Sequence, residues 1–79
     1  MPTVLRIGPY RFFSYNYDLG ERMHIHVICG QNEAKFWLDN GSLAKNLGMS
    51  ENDLRTVQKL VDEHREFLID EWNRRKTER

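Results

Sequence analysis

Residues 23–38 read MHIHVICGQNEAKFWL, and this stretch decides the fold. Two runs rich in β-branched and aromatic residues flank a short polar turn that begins at Gly30. We therefore predict two strands, residues 23–29 and 33–38, that pair as a hairpin. One register gathers their apolar side chains on a single face, the predicted core, by placing Cys29 opposite Ala34, Val27 opposite Phe36 and Ile25 opposite Leu38.

The other face of this hairpin is predicted to be polar and aromatic. The same register pairs Ile28 with Lys35, His26 with Trp37 and His24 with Asp39. We expect both imidazoles to point away from the core. Trp37 would then be a large aromatic side chain on a polar surface, where a second layer or a partner is needed to cover it.

The rest of the chain predicts further strands and one long helix. Strands are expected at residues 3–7 and 10–15 around the breaker Gly8-Pro9, and a polar loop covers residues 16–22. Residues 42–47 fit either a fifth strand or a helical turn. Ser50 is a good N-cap, and from there apolar residues recur at three- and four-residue steps to about residue 76. The stripe consists of Leu54, Val57, Leu60, Val61, His64, Phe67, Leu68 and Trp72.

These elements predict an α+β fold. We expect an antiparallel β-meander of four to five strands, residues 3–47, packed against one C-terminal helix at about residues 51–76, all in a single domain spanning residues 1–79. The helix is long for so small a chain, so its last turns are predicted to project beyond the sheet and contact a partner through Trp72, Arg74 and Arg75.

Composition excludes some classes of function and favours a cytoplasmic protein. Twelve basic and twelve acidic residues give a formal net charge of zero, which disfavours general coating of nucleic acid. No apolar run is long enough for a membrane helix, and the lone Cys29 cannot form an intramolecular disulfide. We therefore expect no membrane association. We also predict no cofactor, because the chain lacks a glycine-rich phosphate loop and a CxxC pair.

The most specific chemical feature is the pair His24 and His26. Two residues apart on a strand, they share a face, so three interpretations stay open: a solvated pair, an acid–base pair, or two ligands of a metal with Asp39 as the third. His64 belongs to the helix stripe and is predicted to be structural.

The predicted polar face also carries candidate binding residues. Trp37, Lys35, Asp39 and Arg22 are the side chains expected to contact a ligand or partner. Aromatic residues of the second strand and the following loop offer stacking platforms for RNA bases, although core packing accounts for at least half of them. They are Tyr10, Phe12, Phe13, Tyr15 and Tyr17.

Four stretches carry a resemblance to a known family. They are MPTVLRIGPYRFF at residues 1–13, HIHV at 24–27, EAKFWL at 33–38 and the helical residues 54–65. Together they resemble the small bacterial family filed as domain of unknown function 4160. Met23 stands where the family pattern has proline before the first histidine. The resemblance implies a bacterial or phage-associated protein, encoded beside a second very small protein in an arrangement of toxin–antitoxin type, but no established activity.

Two functions are therefore carried forward. The first is a small protein-interaction module, one half of a toxin–antitoxin-type pair, which binds the neighbouring protein or a second copy of itself as a homo-oligomer. The alternative is a ribonuclease-like toxin. In that case His24 and His26 would act as general acid and base, and Arg22 or Lys35 would stabilise the developing charge on the phosphate.

Overall fold

The computed structural model describes residues 3–14 and 20–77 and shows a meander sheet with one helix. All neighbouring strands are antiparallel and follow the chain order. Tyr15, Tyr17 and most of the predicted loop 16–22 lie outside the described residues. The elements are β1 (Thr3–Ile7), β2 (Tyr10–Phe13), β3 (His24–Cys29), β4 (Asn32–Trp37), β5 (Leu43–Leu47) and α1 (Glu51–Thr77). The predicted α+β fold is confirmed, and residues 43–47 form a strand.

The register of the central hairpin differs from the prediction by two residues. His24 lies opposite Trp37, His26 opposite Lys35, and Cys29 opposite Asn32. The reason is the turn, which contains only Gly30 and Gln31, with Gly30 at a φ of 63° that a glycine adopts without strain. Because a shift of two residues preserves the alternation, each side chain stays on the predicted face, but the predicted partners are wrong.

The helix covers one face of the sheet, which we call the inner face. The side chains of the inner face pack against those of α1 and form the core. The first turn of α1 is fixed by Ser50, whose Oγ accepts a hydrogen bond from the backbone N–H of Asp53, as an N-cap does. The Tyr10 hydroxyl donates to the Asp53 carboxylate at 2.8 Å, and this bond raises the pKa of Tyr10. The buried inner-face residues are Tyr10, Phe12, Ile25, Val27, Ala34 and Phe36, and those of the helix are Val57, Val61, Leu68 and Trp72.

The C-terminal part of the helix is packed against the sheet, so the prediction that it projects is wrong. The Trp72 side chain is only 3% exposed and belongs to the core. Arg75 donates a hydrogen bond to the Ser14 hydroxyl at 2.8 Å, which holds the last turns to the end of β2. The placement of Phe67 within the apolar stripe is also wrong, because this side chain is 45% exposed.

Candidate functional site

The candidate site lies on the outer face of the sheet, opposite the helix. Four rings pack together there and form what we call the outer cluster: Phe13, His24, His26 and Trp37. Phe13 stacks on His26 with ring centroids 5.4 Å apart, and His24 meets both His26 and Trp37 edge to face. Alternation along β2, β3 and β4 puts these side chains on one face, and the observed register makes them neighbours.

Both histidines are buried, so the interpretation of them as a solvated pair is wrong. His24 is 0% exposed and His26 is 8% exposed. Phe13 covers His26 from the neighbouring strand, while the Trp72 ring reaches His24 from the end of the helix, with centroids 5.0 Å apart. His24 is the first residue of β3, at the end of the sheet, so a helix residue of the core can reach its ring.

Each imidazole is oriented by a hydrogen bond at Nδ1. The Nδ1 of His24 lies 2.7 Å from the backbone oxygen of Arg22. Because a carbonyl oxygen only accepts, this nitrogen carries the proton. The Nδ1 of His26 lies 3.2 Å from a carboxylate oxygen of Glu33, which likewise accepts. Glu33 was not among the residues predicted for the site, although alternation along its strand already put it on the outer face.

Cationic side chains lie over the aromatic rings of this face. The Arg11 guanidinium lies over Phe13 at 5.4 Å from the ring centroid. Trp37 is contacted by two cations, Arg22 at 4.3 Å and Lys35 at 4.9 Å, and its side chain is half-buried. The protein therefore covers Trp37 with its own charged groups, which interact favourably with the ring face. Trp37, Lys35 and Arg22 are thus brought together, and their role in binding stays a prediction.

Asp39 pairs with Arg22. The prediction that Asp39 lies opposite His24 is wrong, because Trp37 occupies that position. Two hydrogen bonds of 2.7 and 2.9 Å join the guanidinium and the carboxylate. These bonds lower the pKa of Asp39 and raise the pKa of Arg22. The pair holds Arg22 where it lies over Trp37. Among residues 3–14 and 20–77, no group of three or more histidine, cysteine, aspartate or glutamate side chains is gathered to hold a metal ion.

We predict that replacing Arg22→Gln moves the pKa of Asp39 back up towards the ordinary aspartate value of about 3.9. The native carboxylate is stabilised by Arg22, so its contribution to stability is present above that ordinary value and is lost as the pH falls through the lower native pKa. NMR titration of the Asp39 carboxyl carbon in both proteins measures the shift. The control Arg74→Gln, which removes a partner of Glu71, leaves Asp39 unchanged. An identical Asp39 titration with and without Arg22 contradicts the prediction.

Cross-strand pairing also brings together cations that the sequence argument did not single out. Arg6 lies opposite Arg11 between β1 and β2, and Lys35 lies opposite Lys45 between β4 and β5. Arg11 pairs in turn with Ile28, which places both arginines on the outer face with the outer cluster. The Nε atom of Arg11 is buried and has no hydrogen-bond partner among residues 3–14 and 20–77. Alternation within each strand was the available signal, but the strand register was needed to see the pairs.

The three residues predicted for partner contact at the helix end differ in their exposure. Trp72 is buried, Arg75 is half-buried and bound to Ser14, and Arg74 is exposed and paired with Glu71 at 2.7 Å. The Arg74 guanidinium lowers the pKa of Glu71 through this hydrogen bond. His64 is half-buried on the helix, and its structural role stays a prediction.

Comparison with known proteins identifies the family of the chain. In the part of the chain that the structure describes, no helix has the length and apolar character needed to span a membrane. No curated protein and no solved structure matches the sequence. One family model matches residues 10–73, which include β2 to β5, the outer cluster and nearly all of α1. The chain therefore belongs to the family described as Domain of unknown function (DUF4160).

Proposed function

We propose that the chain is a protein-interaction module that binds an acidic segment of a partner protein on the outer face of its sheet. The observation that carries this proposal is the presence of two like-charged cross-strand pairs, Arg6 with Arg11 and Lys35 with Lys45. Like charges directly opposite each other on neighbouring strands destabilise a sheet. An acidic ligand bound beside these pairs neutralises the repulsion, and its removal contributes to the free energy of binding.

The outer face is positive although the whole chain has no net charge. Two carboxylates near this face are already engaged, Glu33 with His26 and Asp39 with Arg22. Arg6, Arg22 and Lys45 are exposed, so a partner can reach them. Complementary charge chiefly sets the association rate and the specificity of such a contact.

A protein ligand fits this face better than RNA does. Sheets that bind RNA present bare aromatic rings on which bases stack. Here Phe13 is fully buried, and the Trp37 ring is contacted by Arg22 and Lys35. The zero net charge also removes the long-range attraction that drives binding to nucleic acid.

The alternative, a ribonuclease using His24 and His26, has less support. General acid–base catalysis requires each imidazole within hydrogen-bond reach of the substrate. His24 has no exposed surface and packs between Trp37 and Trp72, and His26 is covered by Phe13. The proposed role of the chain as one half of a toxin–antitoxin-type pair in the cytoplasm needs only the interaction surface.

The test combines binding and stability measurements on Lys45→Glu. We expect the purified chain and the protein encoded beside it to form a complex at micromolar concentration, measured by size-exclusion chromatography with light scattering. Lys45→Glu should weaken this complex about tenfold, or more, because one interfacial charge pair becomes repulsive. The same variant should be more stable by about 0.2–1 kcal/mol, because it converts the repulsion with Lys35 into attraction.

The matched control is Lys59→Glu, which makes the same charge change at an exposed position of α1. It should leave the affinity unchanged. Opposite signs for binding and stability exclude unfolding as the cause of lost affinity. The proposal is overturned if the two folded proteins stay separate at micromolar concentration, or if a labelled oligouridylate binds the outer face and the neighbouring protein does not.

A further inference from the structure

The edge strand β5 is open on one side and carries exposed apolar side chains. It is the last strand of the sheet order, and among the described residues no strand lies beyond it. Leu43 is 42% exposed and Leu47 is 49% exposed. Every second residue of an edge strand directs its N–H and C=O away from the sheet, so β5 can accept a further strand.

The backbone of β5 is held in place at both ends before any ligand binds. At the start, Gln58 of the helix donates a hydrogen bond to the Gly41 carbonyl at 2.6 Å, and Trp37 donates its N–H to the Ser42 carbonyl. At the end, the Asn46 side chain bonds both the N–H and the carbonyl of Met49, a buried core residue. A preformed edge lowers the entropy cost of adding a strand.

The opposite edge of the sheet is less suited to this role. In β1, the apolar residues Val4, Leu5 and Ile7 are partly buried and pack against the core. The exposed large apolar residues of the described chain are Leu43, Leu47 and Phe67, and two of the three belong to β5. Strand addition is therefore expected at β5.

We infer that the open edge of β5 receives an extended segment of the acidic partner as a sixth strand, with a carboxylate next to Lys45 and an apolar side chain next to Leu47 on the outer face. An irregularity in the register puts Leu43 opposite Phe36, on the inner face. This inference rests on the proposed function and specifies how the partner binds. Charge complementarity selects the ligand, because Lys45 faces outward beside Lys35 and no carboxylate of β5 is available to neutralise them.

A second copy of the chain fits this edge poorly. Consider a two-fold antiparallel pair of β5 strands. The register that places Leu43 opposite Leu47 of the second copy also places Lys45 opposite Lys45 of that copy. Two lysines directly opposite each other repel. An acidic segment avoids this repulsion, because its carboxylate lies next to Lys45.

The experiment uses the heptapeptide Thr-Val-Thr-Glu-Thr-Val-Thr with both ends blocked. Its sequence is palindromic, so it presents the same pattern to β5 in either strand direction. At saturating peptide, we expect amide hydrogen exchange within β5 to slow at least tenfold, measured residue by residue by NMR. The matched peptide with lysine in place of glutamate should bind at least tenfold more weakly to the natural chain, and Lys45→Glu should reverse this preference. Lys59→Glu should leave it unchanged.

Other outcomes overturn the inference. The inference is wrong if amide hydrogen exchange in β5 stays unchanged at millimolar peptide. It is also wrong if the peptide slows exchange only in β1. Concentration-dependent dimers that protect β5 without peptide would show that a second copy is the occupant. Failure here is distinguishable from failure of the proposed function. If the neighbouring protein binds while β5 exchanges freely, only the strand addition is wrong, whereas absence of any complex contradicts the interaction module itself.

Discussion

Replacing Trp72→Ala is expected to lower the free energy of unfolding by about 3–5 kcal/mol. The indole is buried in the core and contacts the His24 ring, so its removal leaves a cavity between the helix end and the sheet. A domain of this size has a total stability of roughly 5–15 kcal/mol, so the loss is a large part of the whole. Urea denaturation followed by circular dichroism measures it.

Phe67→Ala is the matched control, because it removes another aromatic side chain from the same helix. Phe67 is largely exposed, and its replacement should change the stability by no more than about 0.5 kcal/mol. Equal losses for the two variants would show that the helix end is not docked. In that case Trp72 would be free to contact a partner, as the sequence alone suggested.

Trp72 is buried and Phe67 is exposed, although three- and four-residue spacing assigned both to one stripe. At about 100° per residue, Trp72 lies about 20° from Val61 around the helix axis, whereas Phe67 lies about 120° away. Phe67 is three residues after His64, which is four residues after Leu60. This spacing assigned Phe67 to the apolar stripe, although its side chain points away from the buried side of the helix. The cap at Ser50 was local in sequence and was predicted correctly.

Strand faces were predictable from alternation, while strand partners were not. The apolar residues of β3 and β4 lie on the inner face, as predicted, because the side-chain period is two. Which residues are opposite each other depends on the number of residues in the turn. Two residues separate Cys29 from its partner Asn32, whereas the predicted pairing of Cys29 with Ala34 requires four. That difference moved Asp39 away from His24 and left it free to bind Arg22.

Burial of the outer face was also beyond the reach of the sequence pattern. Alternation showed that His24 and His26 share a face, but their cover comes from Phe13 on another strand and Trp72 at the far end of the helix. Likewise, Arg6 and Lys45 became part of the candidate site only through the register that sets them opposite Arg11 and Lys35. Non-local contacts therefore define most of this site.

Replacing His24→Ala is expected to cost about 2–4 kcal/mol, from roughly 1 kcal/mol for the hydrogen bond to the Arg22 carbonyl and the rest from the buried ring. His24→Phe separates these contributions, because it keeps a ring of similar bulk but leaves the carbonyl without its donor, a loss of about 1–3 kcal/mol. The half-buried His64→Ala serves as the control and should cost less than about 1 kcal/mol. Denaturant unfolding of the three variants compares them directly. If His24→Ala keeps full stability, the ring does not hold the outer cluster together, and the acid–base alternative regains support.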